Sequence, residues 1–236
     1  MNQVPLFTET PSIASQHHRA IARNRRLVVA LFLLLWIPVQ VSGQDGGAEL
    51  VDAAKKGDAD ALRSLINKGG NVNAKNASGR TPLMEAAFWG RVEAAKLFLE
   101  KGADPNAKDL EDRTALIDAA GNGHIQVVVA LLEKGADTKA KTKEGATALI
   151  EAASNNRAEV LKALLEKNPS IEEKDKEGRT ALILAAYWGH VDAAQVLLDK
   201  GANPNAKDKY GYSALMYAKK ENHAKVVDVL GKAGAK

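Results

Sequence analysis

Residues 79–106 read GRTPLMEAAFWGRVEAAKLFLEKGADPN, and this stretch decides the fold. Thr81 is a good helix N-cap, and Pro82 suits the first helical position, where its missing N–H costs nothing. A short helix of small residues, Leu83 to Trp89, follows, and Gly90 ends it. A second helix from Val92 to Lys101 places Val92, Ala95, Leu97, Phe98 and Leu99 on or near one apolar face. Gly102 closes it where a left-handed residue is needed. From Ala103 to Arg113 the chain is turn-rich and extended, which predicts a hairpin-like loop.

Working outward, the same pattern recurs every 33 residues. Thr81, Thr114, Thr147, Thr180 and Ser213 are in register, as are Leu83, Leu116, Leu149, Leu182 and Leu215. Glycine or asparagine recurs at 57, 90, 123, 156, 189 and 222, and again at 69, 102, 135, 168, 201 and 234. Asparagine tolerates the left-handed conformation, which accounts for Asn156, Asn168 and Asn222. Six units fit, spanning about 46–78, 79–111, 112–144, 145–177, 178–210 and 211–236. No unit can bury its apolar face alone, so the units must stack, with first-helix alanines allowing close approach.

The segment 79–106 resembles an ankyrin repeat, and the other units are similar, over residues 46–236. The resemblance implies an all-α solenoid of antiparallel helix pairs joined by β-hairpin-like loops, whose first helices and loops form a concave partner-binding surface. The family's Thr-Pro-Leu-His signature lacks its histidine here. Met84, Ile117, Ile150, Ile183 and Met216 stand in that place, so apolar packing is expected to replace the histidine's hydrogen bonds.

The amino-terminal residues 1–43 are a separate segment. They hold Arg19, Arg23, Arg25 and Arg26 against Glu9, followed by an apolar run from Leu27 to Val39. Thirteen helical residues cover ~20 Å, short of the ~30 Å hydrocarbon core. A basic flank, a short apolar run and small residues after it form a secretory signal pattern, with cleavage expected after Gly43. An uncleaved signal anchor, with the apolar run taken as 27–41, is the alternative; it would make the protein a membrane-anchored scaffold with its repeats on the extracytoplasmic side. Either way the body is exported, to the periplasm or the exterior.

The chain carries +4 overall, but residues 44–236 hold 29 basic against 28 acidic side chains. That near-neutral body argues against nucleic-acid binding. The absence of cysteine excludes a disulfide scaffold, a thiolate metal site and a cysteine nucleophile. His124, His190 and His223 occupy equivalent positions in different units. Stacked helices ~8–10 Å apart cannot bring them to one metal, so each is read as joining the two helices of its own unit. Gly121-Asn122-Gly123 follows no strand and is not a dinucleotide loop. Glu85, Asp118 and Glu151 recur in phase and read as a solvated or partner-facing row rather than a catalytic pair. No catalytic residue, cofactor or metal is expected. Asn76-Ala77-Ser78 is a glycosylation sequon at a loop tip.

Aromatic placement is the feature with functional content. Of eight rings in the repeats, Phe98 is read as core. Phe88, Trp89, Tyr187, Trp188, Tyr210, Tyr212 and Tyr217 fall on the exposed side of a first helix or in the loop before it, where the resemblance implies binding. Phe88-Trp89 and Tyr187-Trp188 are equivalent pairs three units apart. Arg80, Arg113 and Arg179 precede first helices and are expected to add charge-assisted bonds around the rings. The lysine column 75, 108, 141, 174 and 207 reads as a solvated edge. The expected function is protein recognition without catalysis by a monomer; the partner is not named by the sequence. An enzyme with an unrecognised site is the remaining alternative, and shielding of seams between units is the alternative reading of the rings.

Overall fold

A computed structural model describes residues 47–167 and 170–236. Amino-terminal residues 1–43, with the signal or anchor reading, lie outside them, as do Asn168 and Pro169. The described residues contain twelve helices and no strand, in six consecutive pairs. The first helix of each pair is α1 (Gly47–Lys56), α3 (Pro82–Phe88), α5 (Ala115–Asn122), α7 (Ala148–Ser154), α9 (Ala181–Tyr187) or α11 (Ala214–Lys220). The second is α2 (Ala59–Asn67), α4 (Val92–Glu100), α6 (Ile125–Glu133), α8 (Ala158–Leu165), α10 (Val191–Asp199) or α12 (Ala224–Lys232). First helices pack on first helices and second on second, in chain order, which makes an all-helical solenoid.

Each first helix starts where the capping residue dictates. The hydroxyls of Thr81, Thr114, Thr147, Thr180 and Ser213 accept from the amides of Met84, Ile117, Ile150, Ile183 and Met216 at 3.3–3.4 Å. The same five residues fill the place of the missing histidine. The first four are buried between neighbouring pairs, as expected; Met216, in α11 of the last described pair, is 44% exposed. Phe98 and the in-phase leucines and alanines form one continuous core.

The hairpin-like loops are tight turns, with a single isolated bridge between Lys207 and Ser213 among the described residues. Each turn closes on a side chain. Asp109 Oδ1 accepts from the amides of Glu111 and Arg113 at 2.8 and 2.9 Å, and Asn76, Asp175 and Asp208 do the same in their turns. Thr142 makes only the second of these bonds, to Ala146. Successive turns are then joined by one backbone bond each, from Leu110 to Ser78, Lys143 to Glu111, Lys176 to Glu144 and Lys209 to Glu177.

A second ladder runs between the bases of the loops. Asn73, Asn106 and Asn205 each accept from a backbone amide of the next loop at 2.7–2.8 Å, and Glu172 does so at 2.7 Å. In register between Asn106 and Glu172 stands Lys139, which has no acceptor. Most second helices also end with an amide returning to the helix, as from Ala103 to Phe98, Ala136 to Leu131 and Ala202 to Leu197. The register residue after α8 is Pro169, which carries no N–H. The junction of the third and fourth pairs therefore lacks the acceptor that the other junctions use, and the residue after α8 cannot return an amide to its own helix.

Candidate functional site

The first helices and the turns before them form one face, and the rings lie on it. Trp89 is 43% exposed, Trp188 48% and Tyr210 62%, with Phe88 and Tyr212 also exposed and Tyr187 and Tyr217 half-buried. Phe88 and Trp89 meet edge to face with centroids 5.2 Å apart. Tyr187 and Trp188 repeat that geometry at 4.9 Å. Tyr187 also meets Tyr217 at 5.4 Å, and Tyr217 meets Tyr212 at 5.3 Å, so the structure gathers four of the seven rings into one cluster. Tyr210 stands apart at a turn tip, its hydroxyl donating to Glu177 Oε2 at 2.7 Å with Lys209 beneath the ring. Lys209 Nζ, 2.8 Å from the same oxygen, and the Tyr210 hydroxyl hold the Glu177 carboxyl below its ordinary range.

The carboxylate row on the first helices is covered rather than solvated, contrary to its sequence reading. Asp118 is 0% exposed, and Glu85 and Glu151 are half-buried. The reason is the arginines, which reach across from the turns. Arg80 Nε bonds Glu85 Oε1 at 2.6 Å, and Arg80 Nη1 bonds Asp109 Oδ2 at 3.2 Å. Its Nη2 lies 2.8 Å from Asp118 Oδ2, at an angle outside hydrogen-bond geometry, so that buried oxygen is held by charge alone. Arg113 Nε bonds Asp118 Oδ1 at 2.7 Å, and its Nη1 bonds Glu151 Oε1 at 3.0 Å. Burial alone would lower both guanidinium pKa values, but Asp118 with Glu85 for Arg80, and with Glu151 for Arg113, raises them above the ordinary value. Arg179 bonds Asp175 of its own turn through Nε and Nη2. All three arginines thus bond carboxylates within the chain, and Arg80 also lies 5.4 Å from the Phe88 centroid.

The histidines bridge units instead of joining the helices of their own. Nε2 of His124, His190 and His223 donates to the carbonyls of Phe88, Ser154 and Tyr187 in the preceding pair, at 3.0–3.2 Å. Arg91 and Arg157 make the same bridge from Nε to Lys55 and Gly121. The ring packs flat over the preceding glycine: a Cβ on Gly90, at φ +65°, would lie 2.5 Å from His124 Nδ1. Asn156 takes the same left-handed conformation at φ +54°, and Asn222 at +59°, as expected from the sequence.

The lysine column is an edge with a structural task. Nζ of Lys75, Lys141 and Lys174 donates to the carbonyl of the lysine one unit on, at 2.8–3.0 Å. Asp109, Asp175 and Asp208 beside that column are turn acceptors. The Asn76 carboxamide of the sequon is committed in the same way, accepting from Ser78 and Arg80. Sequence reasoning missed the arginine–carboxylate chain, although its signal was present: arginines at 80 and 113 and acids at 85, 118 and 151 keep one register, the arginines are interrupted at Ala146 before Arg179, and the acids stop at Leu184.

Among the described residues no group of three or more His, Asp or Glu is placed to hold a metal ion, and no helix is long and apolar enough to cross a membrane. A model of the family described as ankyrin repeats matches three times, over residues 18–109, 109–175 and 168–236. The human ASB11 ankyrin repeat domain is similar in structure, with a TM-score of 0.74 and 30% identity over 79% of this chain and 84% of that one. An ankyrin repeat domain from Acinetobacter baumannii AYE is similar with a TM-score of 0.72 and 30% identity, over 80% of this chain and 98% of that one. No curated protein matches the sequence. Ankyrin repeats are in general protein-interaction modules.

Proposed function

The chain belongs to the ankyrin-repeat family, and on that premise we propose that it is an exported module that binds a protein partner through its concave face, without catalysis, cofactor or metal. One observation carries this reading: two edge-to-face ring pairs, Phe88-Trp89 and Tyr187-Trp188, stand on the first-helix face with their tryptophans about half exposed. Exposing such rings to water is unfavourable for solubility, and tryptophan is enriched at the centres of interfaces. The Trp89 anchor is also pre-organised. Trp89 Nε1 donates to Glu85 Oε2 at 3.2 Å, and Lys55 lies 5.3 Å from its ring centroid, so little side-chain freedom is left to lose on binding.

Tyr210, Tyr212 and Tyr217 extend the contact surface at the carboxyl-terminal end, while Arg80, Arg113 and Arg179 support it by fixing the acids and turns beneath. The module acts as a monomer. Export rests on the basic flank and apolar run of residues 1–43, with cleavage after Gly43. Amino-terminal sequencing of the exported form is expected to start at Gln44; finding Met1 in a membrane fraction would favour the anchored scaffold. The binding reading is tested by Trp89→Ala and Trp188→Ala. Each is expected to weaken partner binding by ~2 kcal/mol or more while urea unfolding changes much less. If either variant unfolds before it loses affinity, the rings are seam packing and the reading fails.

A further inference from the structure

The stretch of the first-helix face between the two ring pairs has a charge of its own. Residues 109–122 hold four acidic side chains against Arg113, and residues 142–155 hold two against Lys143. The in-register stretches 76–89 and 175–188 are each neutral. The middle of this face therefore carries −4 in a chain whose total is +4. Arg80 reaches Asp109 and Asp118 from the neighbouring stretch, Arg113 pairs with Asp118 and Glu151, and Lys143 lies 3.7 Å from Glu111, so the acids are offset in part where they are buried and the excess is left at the exposed turn tips.

The same middle is low and rich in acceptors. In place of the rings stand Gly121-Asn122 and Ser154-Asn155, and their donors are turned back on their own helices. Asn122 Nδ2 donates to the Asp118 carbonyl at 3.0 Å, Asn155 Nδ2 to that of Glu151 at 2.8 Å, and Ser154 Oγ to that of Ile150 at 2.9 Å. The amide oxygens, one N–H of each carboxamide and the exposed carboxylates of Glu111 and Glu144 are what remains for a ligand. Beyond the rings the sign reverses, with Lys55 at Trp89 and Lys220 at Tyr212. Along the solenoid the face reads cation, ring, acid, acid, ring, cation.

We infer that the occupant is an extended basic segment of a partner protein, with arginine or lysine over the third and fourth pairs and an apolar residue against each ring pair. This rests on the reading that the face binds protein. Three stacking distances of ~8–10 Å separate the ring pairs. At ~3.3 Å per residue, a strand of about eight or nine residues spans them. Glu111 and Glu144 are exposed at the turn tips, where their field reaches out to about a Debye length and steers a cationic segment inward. Phosphate backbones carry the wrong sign for this face.

The test uses the full chain and three nine-residue peptides with phenylalanine at both ends and a centre of arginine, glutamine or glutamate, read by fluorescence anisotropy. The arginine peptide is expected to bind about tenfold tighter than the glutamine peptide, and the glutamate peptide weakest. In the variant Glu111→Gln/Asp112→Asn/Glu144→Gln that advantage is expected to fall to about threefold or less. These three side chains lie outside the buried arginine pairs, and asparagine accepts the positive φ of Asp112. Should that variant not fold, the same loss of advantage is read on the unaltered chain in high salt. Trp89→Ala/Trp188→Ala is expected to weaken the arginine and glutamine peptides alike. Equal or reversed affinities that still depend on the rings overturn the charge inference and leave the face reading standing. Arginine-peptide binding indifferent to the rings overturns the face reading and the inference with it, and absence of arginine-peptide binding overturns the inference.

Discussion

The two ring pairs sit at the same register on identical frames, yet the ground beneath them differs. Under Phe88-Trp89 the seam between first helices is ionic, a chain from Glu85 through Arg80, Asp118 and Arg113 to Glu151. Under Tyr187-Trp188 it is apolar and aromatic. Leu184 replaces Glu85, Tyr212 replaces Arg113 and Tyr217 replaces Asp118, while Arg179 keeps the place of Arg80 but turns to Asp175 of its own turn; Tyr217 packs on Tyr187 and donates to Asp208 Oδ2 at 2.7 Å. The indole N–H follows the seam: Trp89 donates to Glu85, whereas Leu184 offers Trp188 nothing. The caps, turn ladders and helix bridges are common to both halves. The frame is thus carried by the backbone and its local acceptors, and the seam can be built from either charges or rings.

The comparison is tested hardest at its most buried charge. Asp118→Ala leaves Arg80 and Arg113 facing each other without their shared carboxylate. Breaking a buried pair in this way costs ~3–5 kcal/mol, read as a fall in the urea midpoint. In the aromatic seam the matching deletion is Tyr217→Phe, which keeps the ring and orphans one Asp208 oxygen. A cost of ~1–3 kcal/mol is expected, that of leaving one buried acceptor unpaired while the other Asp208 oxygen keeps its two backbone amides. Equal losses for the two variants would mean that the seams are energetically alike and the distinction drawn above is only chemical.

Between the halves lies the weak junction. The fourth unit departs most from the repeat, with Ala146, Asn156, Asn168 and Pro169 at frame positions, and Lys139 interrupts the acceptor ladder on its amino-terminal side. Hydrogen exchange is expected to find least protection among internal units here, and Lys139→Asn is expected to raise stability by ~0.5–1.5 kcal/mol by supplying the missing acceptor. Uniform protection across the internal pairs, or no gain from Lys139→Asn, would remove the boundary between the halves.

Much of this frame was legible in the sequence because it is periodic. Thr81 and its equivalents, the left-handed glycines and the core alanines recur every 33 residues, and local chemistry alone dictates what each does. What escaped was whatever depends on the neighbouring unit. On helices of seven and eight residues Glu85 and Asp118 look solvent-facing by spacing, and only the arginine of the turn before, laid across by stacking, buries them. His124 looked like a link within its own pair, because nothing in the sequence says that its ring lies on Gly90 and bonds the carbonyl 36 residues back. The rings were placed on the right face by register; their gathering into one cluster at Tyr187, Trp188, Tyr212 and Tyr217 depended on Tyr217 leaning toward Asp208. Lys139 was visible as a residue but not as a gap, since the ladder it breaks had first to be seen.

The smallest effect separates the bridging residues of the two halves. Arg157 and His190 make the same bond to the preceding pair, to Gly121 and Ser154, but only the histidine titrates near neutrality. Burial lowers the His190 pKa below its ordinary value of 6.5; the bond to the Ser154 carbonyl opposes this, and His223 and Arg157 nearby add to it. A lowered folded pKa means that the unfolded chain binds more protons just below 6.5. The contribution of His190 is therefore fully present above that pH and is lost as the pH falls through the folded value. His190→Arg keeps a donor to Ser154, as Arg157 does for Gly121, and removes the titration. Between about pH 7.5 and pH 5.5 the urea midpoint of the unaltered chain should fall further than that of His190→Arg, His124, His223 and the carboxylates being common to both. Parallel midpoints over that range would show that His190 is held in both protonation states alike, and that the bridges of the two halves are interchangeable in charge as well as in geometry.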